Sequence, residues 1–224
     1  MNQDNLQNMR EDYASAELSE NSVKADPTKQ FGIWFDEAQE VNVPEKNSMT
    51  LSTATHDGRP SARIVLLKGY STEGFVFYTN YLSRKGKEIN KNPLGALTFF
   101  WPSLERQIRI EGILEKVSKE ESEKYFHSRP RESQLGALAS PQSQEIPNRE
   151  SIEKKWNELT AEYEGKDVPK PSFWGGYILK PRLIEFWQGR PSRLHDRIVY
   201  KKVDNKNWKK VRLAPWVLRK LKYY

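Results

Sequence analysis

The stretch that decides the fold is SMTLSTATHDGRPSARIVLLKGYSTEGFVFYT, residues 48–79. Its first part, Ser48 to His56, alternates apolar and polar residues, and Asp57-Gly58 supplies a turn. Ser61 to Lys68 is a strongly β-forming run, Ser71 to Gly74 turns again, and Phe75 to Thr79 makes a third strand. Consecutive strands joined by tight turns leave no room for the crossover helix that a parallel sheet needs.

The pattern holds outward from there. Upstream, Phe31, Trp34 and Phe35 fall at helical spacing within Thr28 to Glu40. Downstream, Ser83 to Asn92 reads as a short helix ended by Pro93. Leu94 to Trp101 and Glu105 to Val117 read as strands joined at Pro102-Ser103. Ser118 and Glu121 form a capping-box match for a helix through His127. Pro130, at a first helical position, starts another helix that runs to about Ala139. A loop over residues 140–148 precedes a polar helix from Arg149 to Tyr163. Strands are expected near 173–180, 182–188, 196–200 and 207–213. The fold class is therefore mainly β with peripheral helices, an antiparallel closed or split barrel. Residues 1–28 read as an aperiodic arm, 29–215 as one domain, and 216–224 as a basic tail.

Composition narrows the function. The chain has 224 residues, 30% of them charged, and no cysteine. Disulfides, thiolate metal sites and cysteine nucleophiles are thereby excluded, and a reducing cytosol is the natural compartment. No apolar run approaches the roughly 20 residues of a membrane span. The net charge of +7 would suit nucleic acid. However, no aromatic-basic repeat or helix-turn-helix pattern accompanies it, and small phosphorylated ligands need the same cations. The only histidines are His56, His127 and His195, so no serine–histidine–aspartate triad stands out, and no clustered ligands suggest a metal.

Four segments concentrate the chemistry. Arg63-IVLL-Lys68 carries a cation at each end of an apolar run, and in one strand they would sit on opposite faces, about 17 Å apart. Either both reach solvent or each meets an anion. Tyr78-TNYLSRK-Lys85 brings a hydroxyl and two cations to a helix start, a geometry suited to phosphate. Tyr125, Arg129 and Ser133 converge where Pro130 restarts the helix. They form either a phosphate-monoester site or a capped helical corner. Finally, Trp187-QGRPSRLHD-Arg197 gathers aromatic and cationic groups in what is, taken alone, a charged surface turn.

In combination, RIVLLK, FYTNYLSRK, ERQIRIEG, YFHSRPRESQLGA, SPQS, PSFWGGY, IEFWQG, RLHDR and RLAP resemble the pyridoxine (pyridoxamine) 5′-phosphate oxidase family, from about Arg10 to Pro215. The resemblance implies a homodimeric FMN-binding split barrel. It also implies oxidation of pyridoxine or pyridoxamine 5′-phosphate to pyridoxal 5′-phosphate by hydride transfer from C4′ to the flavin. Dioxygen is the acceptor and gives hydrogen peroxide, and the amine substrate also gives ammonia.

By motif match, Arg63, Ile64, Val65, Leu66, Leu67, Lys68, Tyr78, Thr79, Arg84, Lys85, Gln107, Gln142, Ser143, Trp187 and Arg197 belong to the FMN side. Lys68, Tyr125, Arg129 and Ser133 take the substrate phosphate. Arg193 and His195 address the pyridoxine ring and, with Arg197 near the flavin, are the catalytic candidates. Arg10 and Tyr13 belong to a lid, and some site residues come from the partner subunit. Arg190 reads as a solvated turn residue, and Asp196 is left unassigned, orientation of a neighbouring Arg or His being enough to account for it. The chain departs from the family in continuing past RLAP as Trp216 to Tyr224. Rival readings are a related split-barrel flavoprotein, such as a flavin reductase or an oxidase of another substrate, which need not keep the four phosphate residues together, a non-catalytic pyridoxal phosphate carrier or sensor, and a basic nucleic-acid binder.

Overall fold

The computed structural model describes residues 13–14, 16–204 and 207–215, so the expected tail and Arg10 lie outside the described residues. Helix α1 (Pro27–Glu40) begins where Asp26 accepts the Thr28 N–H at 2.8 Å. Proline takes its first position, where no N–H is needed. Phe31, Trp34 and Ala38 are its buried face.

Strands β1 (Ser48–Ala54) and β2 (Pro60–Leu66) form the expected hairpin, with Ser48 opposite Leu66 and Ala54 opposite Pro60. Strand β2 stops short of Lys68, however. Leu67 N–H donates to Asn47 and Lys68 N–H to Val76, so the alternation counted from Arg63 does not carry through to Lys68. A short strand, β3 (Gly69–Ser71), pairs antiparallel with β4 (Gly74–Asn80). Three residues are too few for a period of two to be legible in sequence.

Helix α2 (Arg84–Lys91) is capped by Ser83, and Cβ on Gly86 would meet the Tyr81 carbonyl oxygen at 2.2 Å, so only glycine fits there. Strand β5 (Leu94–Trp101) leads through a short 3-10 turn to β6 (Arg106–Lys116). Ser118 caps α3 (Lys119–Ser128) by accepting the Glu121 N–H. Pro130 stands at the cap of α4 (Arg131–Ala139) rather than inside it, and Asn148 caps α5 (Arg149–Glu162).

Strand β7 (Trp174–Gln188) is continuous where two strands were expected. It pairs with β4 up to Leu179 and with β8 (Asp196–Lys202) from Leu183. Pro181 therefore falls between those two ladders, where its missing N–H breaks neither. Strand β9 (Trp208–Arg212) pairs with β8. The sheet order is β2-β1-β5-β6-β7-β4-β3, with β8 and β9 continuing from β7. Among the described residues no helix is long and apolar enough to cross a membrane.

Contacts group the chain into two compact units, one of described residues up to 46 with 98–110 and 182–215, the other of 47–97 and 111–181. In the first, Phe31 meets Phe99 at 5.3 Å, and Trp34 meets Phe186 at 5.1 Å between ring centroids. In the second, Phe126, Leu135, Leu159, Val168 and Trp174 form one buried cluster.

Candidate active site

A cavity of about 620 Å³ in the second unit brings together two of the expected sets. Ile64, Val65, Leu66, Tyr78, Thr79, Lys85 and Gln142 line it along with Lys68, Tyr125, Arg129 and Ser133. Stacked rings build its floor. Tyr78 lies 3.8 Å from Tyr125 and 5.4 Å from Trp174, all nearly parallel. The Arg129 guanidinium rests 4.7 Å over the Trp174 ring, which fixes its plane. Its Nη1 is buried without a hydrogen-bond partner, and burial pulls the pKa of the group below its ordinary value. A buried guanidinium nitrogen left unpaired is costly, so the position is suited to an anion, which none of the described residues supplies. Trp174 falls within the PSFWGGY segment, and nothing in a single sequence separates a platform tryptophan from a core one.

Lys85, on the first turn of α2, is 8% exposed. Its Nζ donates to Thr79 Oγ1 and Gln142 Oε1, each at 3.2 Å, and none of the described carboxylates forms a salt bridge with it. Burial, with the nearby Arg63 charge, lowers its pKa. It forms a second anion-seeking position on the same cavity. Beside it, β2 leaves Ile64 63% and Leu66 42% exposed, an apolar strip suited to a flat ring or a partner surface.

Arg63, Arg84 and Ser143 are arranged differently. Arg63 donates to the Leu51 carbonyl and to the Thr53 and Ser61 hydroxyls, and lies 3.4 Å from Glu88. Arg84 pairs with the same carboxylate at 2.9 Å. Burial alone would raise the pKa of Glu88, but hydrogen bonds from Ser61, Thr53 and Arg84, with the Arg63 charge, bring it down to about 2. Glu88 was not singled out from sequence, since its role depends on β1, β2 and α2 meeting. Arg84 and Ser143 line another cavity, of about 540 Å³, with His56. Leu67 is buried.

The remaining expected residues lie in the first unit. Trp187 and His195 are 4.6 Å apart, and Tyr13 sets its ring edge-on to both at 5.9 Å. Gly189 permits that approach, because a Cβ there would lie 2.7 Å from the Tyr13 ring. The Arg190 N–H donates to His195 Nδ1 at 3.1 Å. Burial, and then the Arg193 charge, hold the imidazole pKa below its ordinary value. Ser192 and Arg193 both have left-handed backbones, φ 56° and 58°, and Arg193 is exposed. Arg197 donates through Nε to Glu185 at 2.6 Å and through Nη1 to the Ala214 carbonyl. Glu185 is 2% exposed and also accepts Arg109 Nη2 at 2.8 Å, a buried carboxylate that sequence alone does not flag. Gln107 sits half-buried on β6. Among the described residues no group of three or more histidine, cysteine or acidic side chains is arranged to hold a metal.

Comparison with known proteins places this arrangement. A family model described as pyridoxamine 5′-phosphate oxidase matches residues 35–162. A second, described as the pyridoxine 5′-phosphate oxidase C-terminal dimerisation region, matches 174–215. The pyridoxine/pyridoxamine 5′-phosphate oxidase of Leptospira interrogans is 54% identical over 210 residues, covering 94% of this chain and 98% of the relative. The crystal structure of PhzG from Burkholderia lata, in complex with tetrahydrophenazine-1-carboxylic acid, has a TM-score of 0.84 at 30% identity, covering 90% of this chain and 100% of that one. A pyridoxamine 5′-phosphate oxidase-related, FMN binding protein from Nostoc punctiforme shares the fold at a TM-score of 0.66 and 17% identity, covering 83% and 96%. The antiparallel reading of residues 48–79 thus leads to a split barrel, and both family models fall on segments that carry the cavity and the histidine cluster. This chain belongs to the pyridoxamine 5′-phosphate oxidase family.

Proposed function

We propose that this protein oxidises pyridoxine 5′-phosphate and pyridoxamine 5′-phosphate to pyridoxal 5′-phosphate in the cytosol, supplying the coenzyme form of vitamin B6. The observation that carries the proposal is the buried, unpartnered Arg129 Nη1 on a cavity shared with Lys68, Tyr125 and Ser133. Two cations, a phenol and a hydroxyl match the oxygens of a phosphate monoester. A flavin reductase would have no use for that set.

The redox group is FMN, which when bound supplies the acceptor for the hydride leaving substrate C4′ and passes the electrons to dioxygen, giving hydrogen peroxide. Its fit rests on Lys85, nine-tenths buried and, among the described residues, hydrogen-bonded only to neutral Thr79 and Gln142, beside the apolar strip of Ile64 and Leu66. Arg63 and Arg84, held by Glu88, contribute positive charge there.

The protein's own work is positioning and charge placement. Arg193 lies against the substrate ring. His195 accepts the Arg190 N–H at Nδ1, so the proton sits on Nε2, and its lowered pKa keeps the ring neutral. It therefore donates from Nε2 to a ring substituent and does not act as a cation. Glu185 aims Arg197, whose Nη2 has no hydrogen-bond partner among the described residues and would place positive charge beside bound FMN. Tyr13 closes over Trp187 and His195, excluding water.

The active sites lie at a homodimer interface and draw residues from both chains. What supports this is the match of residues 174–215 to a dimerisation region and the exposed apolar face of β2. The test compares kcat/KM for pyridoxine 5′-phosphate with that for unphosphorylated pyridoxine. A preference of roughly a thousandfold, cut about 10- to 100-fold in Arg129→Gln, is expected from several charge-assisted hydrogen bonds. Equal turnover of the two would overturn the proposal.

A further inference from the structure

Arg190 and Asp196 flank the loop that carries Arg193 and His195, and their side chains have no part in the roles above. Both reach the N-terminal segment. Asp196 Oδ2 accepts the Leu18 N–H at 3.0 Å, while its Oδ1 accepts Arg212 Nη1 at 2.6 Å. Arg212 in turn donates to the Leu18 carbonyl at 2.9 Å and grips both carboxylate oxygens of Glu20 at 2.9 Å. Arg190 donates to the Ala16 carbonyl at 3.1 Å and to Glu17 at 2.6 Å. Lys210 adds a hydrogen bond to the Glu20 carbonyl.

Residues 16–20 belong to neither helix nor strand, so no ladder satisfies their backbone groups. Side chains of β8, β9 and the 189–195 loop do so instead. The segment's apolar anchorage is slight, with Leu18 its one buried residue. A lone exposed ion pair would hold it weakly, but here the pairs form a connected network in which each cation also binds backbone. Arg190 has a double part. Its guanidinium holds the segment, and its backbone N–H holds His195.

We propose that Asp196, Arg190 and Arg212 are positioning residues forming a clasp. It fixes residues 16–20 to the loop bearing His195 and thereby sets Tyr13 over Trp187 and His195 for ring recognition. This rests on the proposed function for its catalytic consequence and on geometry alone for the clasp.

The test uses the FMN-loaded protein with two variants. Asp196→Asn weakens the hub. Glu20→Gln removes the carboxylate that Arg212 grips from the segment's side and leaves the His195 loop unaltered, so it remains informative if the first variant folds poorly. Each should speed tryptic cleavage after Lys24 by roughly tenfold or more, because local opening controls cutting. Each should also raise KM for pyridoxine 5′-phosphate about tenfold while kcat stays within about threefold. Wild-type cleavage rates in both variants would overturn the proposal. So would faster cleavage with unchanged KM, since the clasp would then hold the segment without positioning anything. Trypsin reads the clasp whether or not the protein turns over, whereas an inactive wild type would overturn the proposed function alone.

Discussion

Arg193 shows what a single position does here. Its left-handed backbone, with that of Ser192 before it, is costly for residues with a Cβ, roughly 1–2 kcal/mol each. The turn holds that conformation beside His195 and leaves the guanidinium exposed. Arg193→Ala should lower kcat/KM by about 100-fold, or about 3 kcal/mol of transition-state stabilisation; a near-normal value would remove Arg193 from the ring. Arg129 makes the complementary case. Arg129→Gln should raise KM for the phosphorylated substrate roughly 10- to 100-fold while FMN affinity, read by flavin fluorescence, is unchanged. Lost FMN binding with unchanged KM would reassign that arginine to the cofactor. On the role proposed for it, His195 should set the acid side of the pH profile. Because burial and Arg193 depress its pKa, the neutral form persists below the ordinary histidine value of 6.5, and kcat/KM should fall only as pH drops through that lower value. An acid limb above it would contradict the neutral-donor role.

At the scale of elements, legibility followed length and period. The β1–β2 hairpin, α1 and the capped helices were readable because alternation, apolar spacing and capping residues are local signals. Strand β3 was not, being three residues long, and Pro181 suggested a break that the partner strands make unnecessary. Of the four residues proposed for the phosphate, Tyr125, Arg129 and Ser133 were readable as one corner around Pro130, while only the family resemblance joined Lys68 to them. Their convergence with Trp174, and the carboxylates Glu88 and Glu185 that hold the arginines, depends on contacts far apart in sequence. Gly112 is a test of the β6–β7 contact, since an added Cβ would lie 2.1 Å from the Lys180 carbonyl oxygen. Gly112→Ala should destabilise by about 2–3 kcal/mol in urea unfolding, backbone being unable to yield as a side chain would. Glu88 gives a pH signature. Its folded pKa is depressed, so its stabilisation is present above the ordinary value of 4.5 and is lost as pH falls towards about 2. Glu88→Gln should flatten the pH dependence of stability across that window; an unchanged slope would contradict the ionised hub.

For the whole molecule, the account requires two chains. Sedimentation should give twice the 26.2 kDa chain mass. If each site draws its phosphate residues from one chain and its ring residues from the other, mixing the impaired Arg129→Gln and Arg193→Ala proteins after mild dissociation should raise kcat/KM well above that of either variant alone. Heterodimers would then hold one intact site. No recovery would place both residues of each site in the same chain. The central claim, that this chain is a flavin-dependent oxidase of phosphorylated B6 vitamers, is most directly tested by one titration. FMN-saturated protein is given pyridoxine 5′-phosphate in air, and aldehyde product and hydrogen peroxide are followed together. One peroxide per pyridoxal 5′-phosphate is predicted, while product absent, or formed without peroxide, would contradict it.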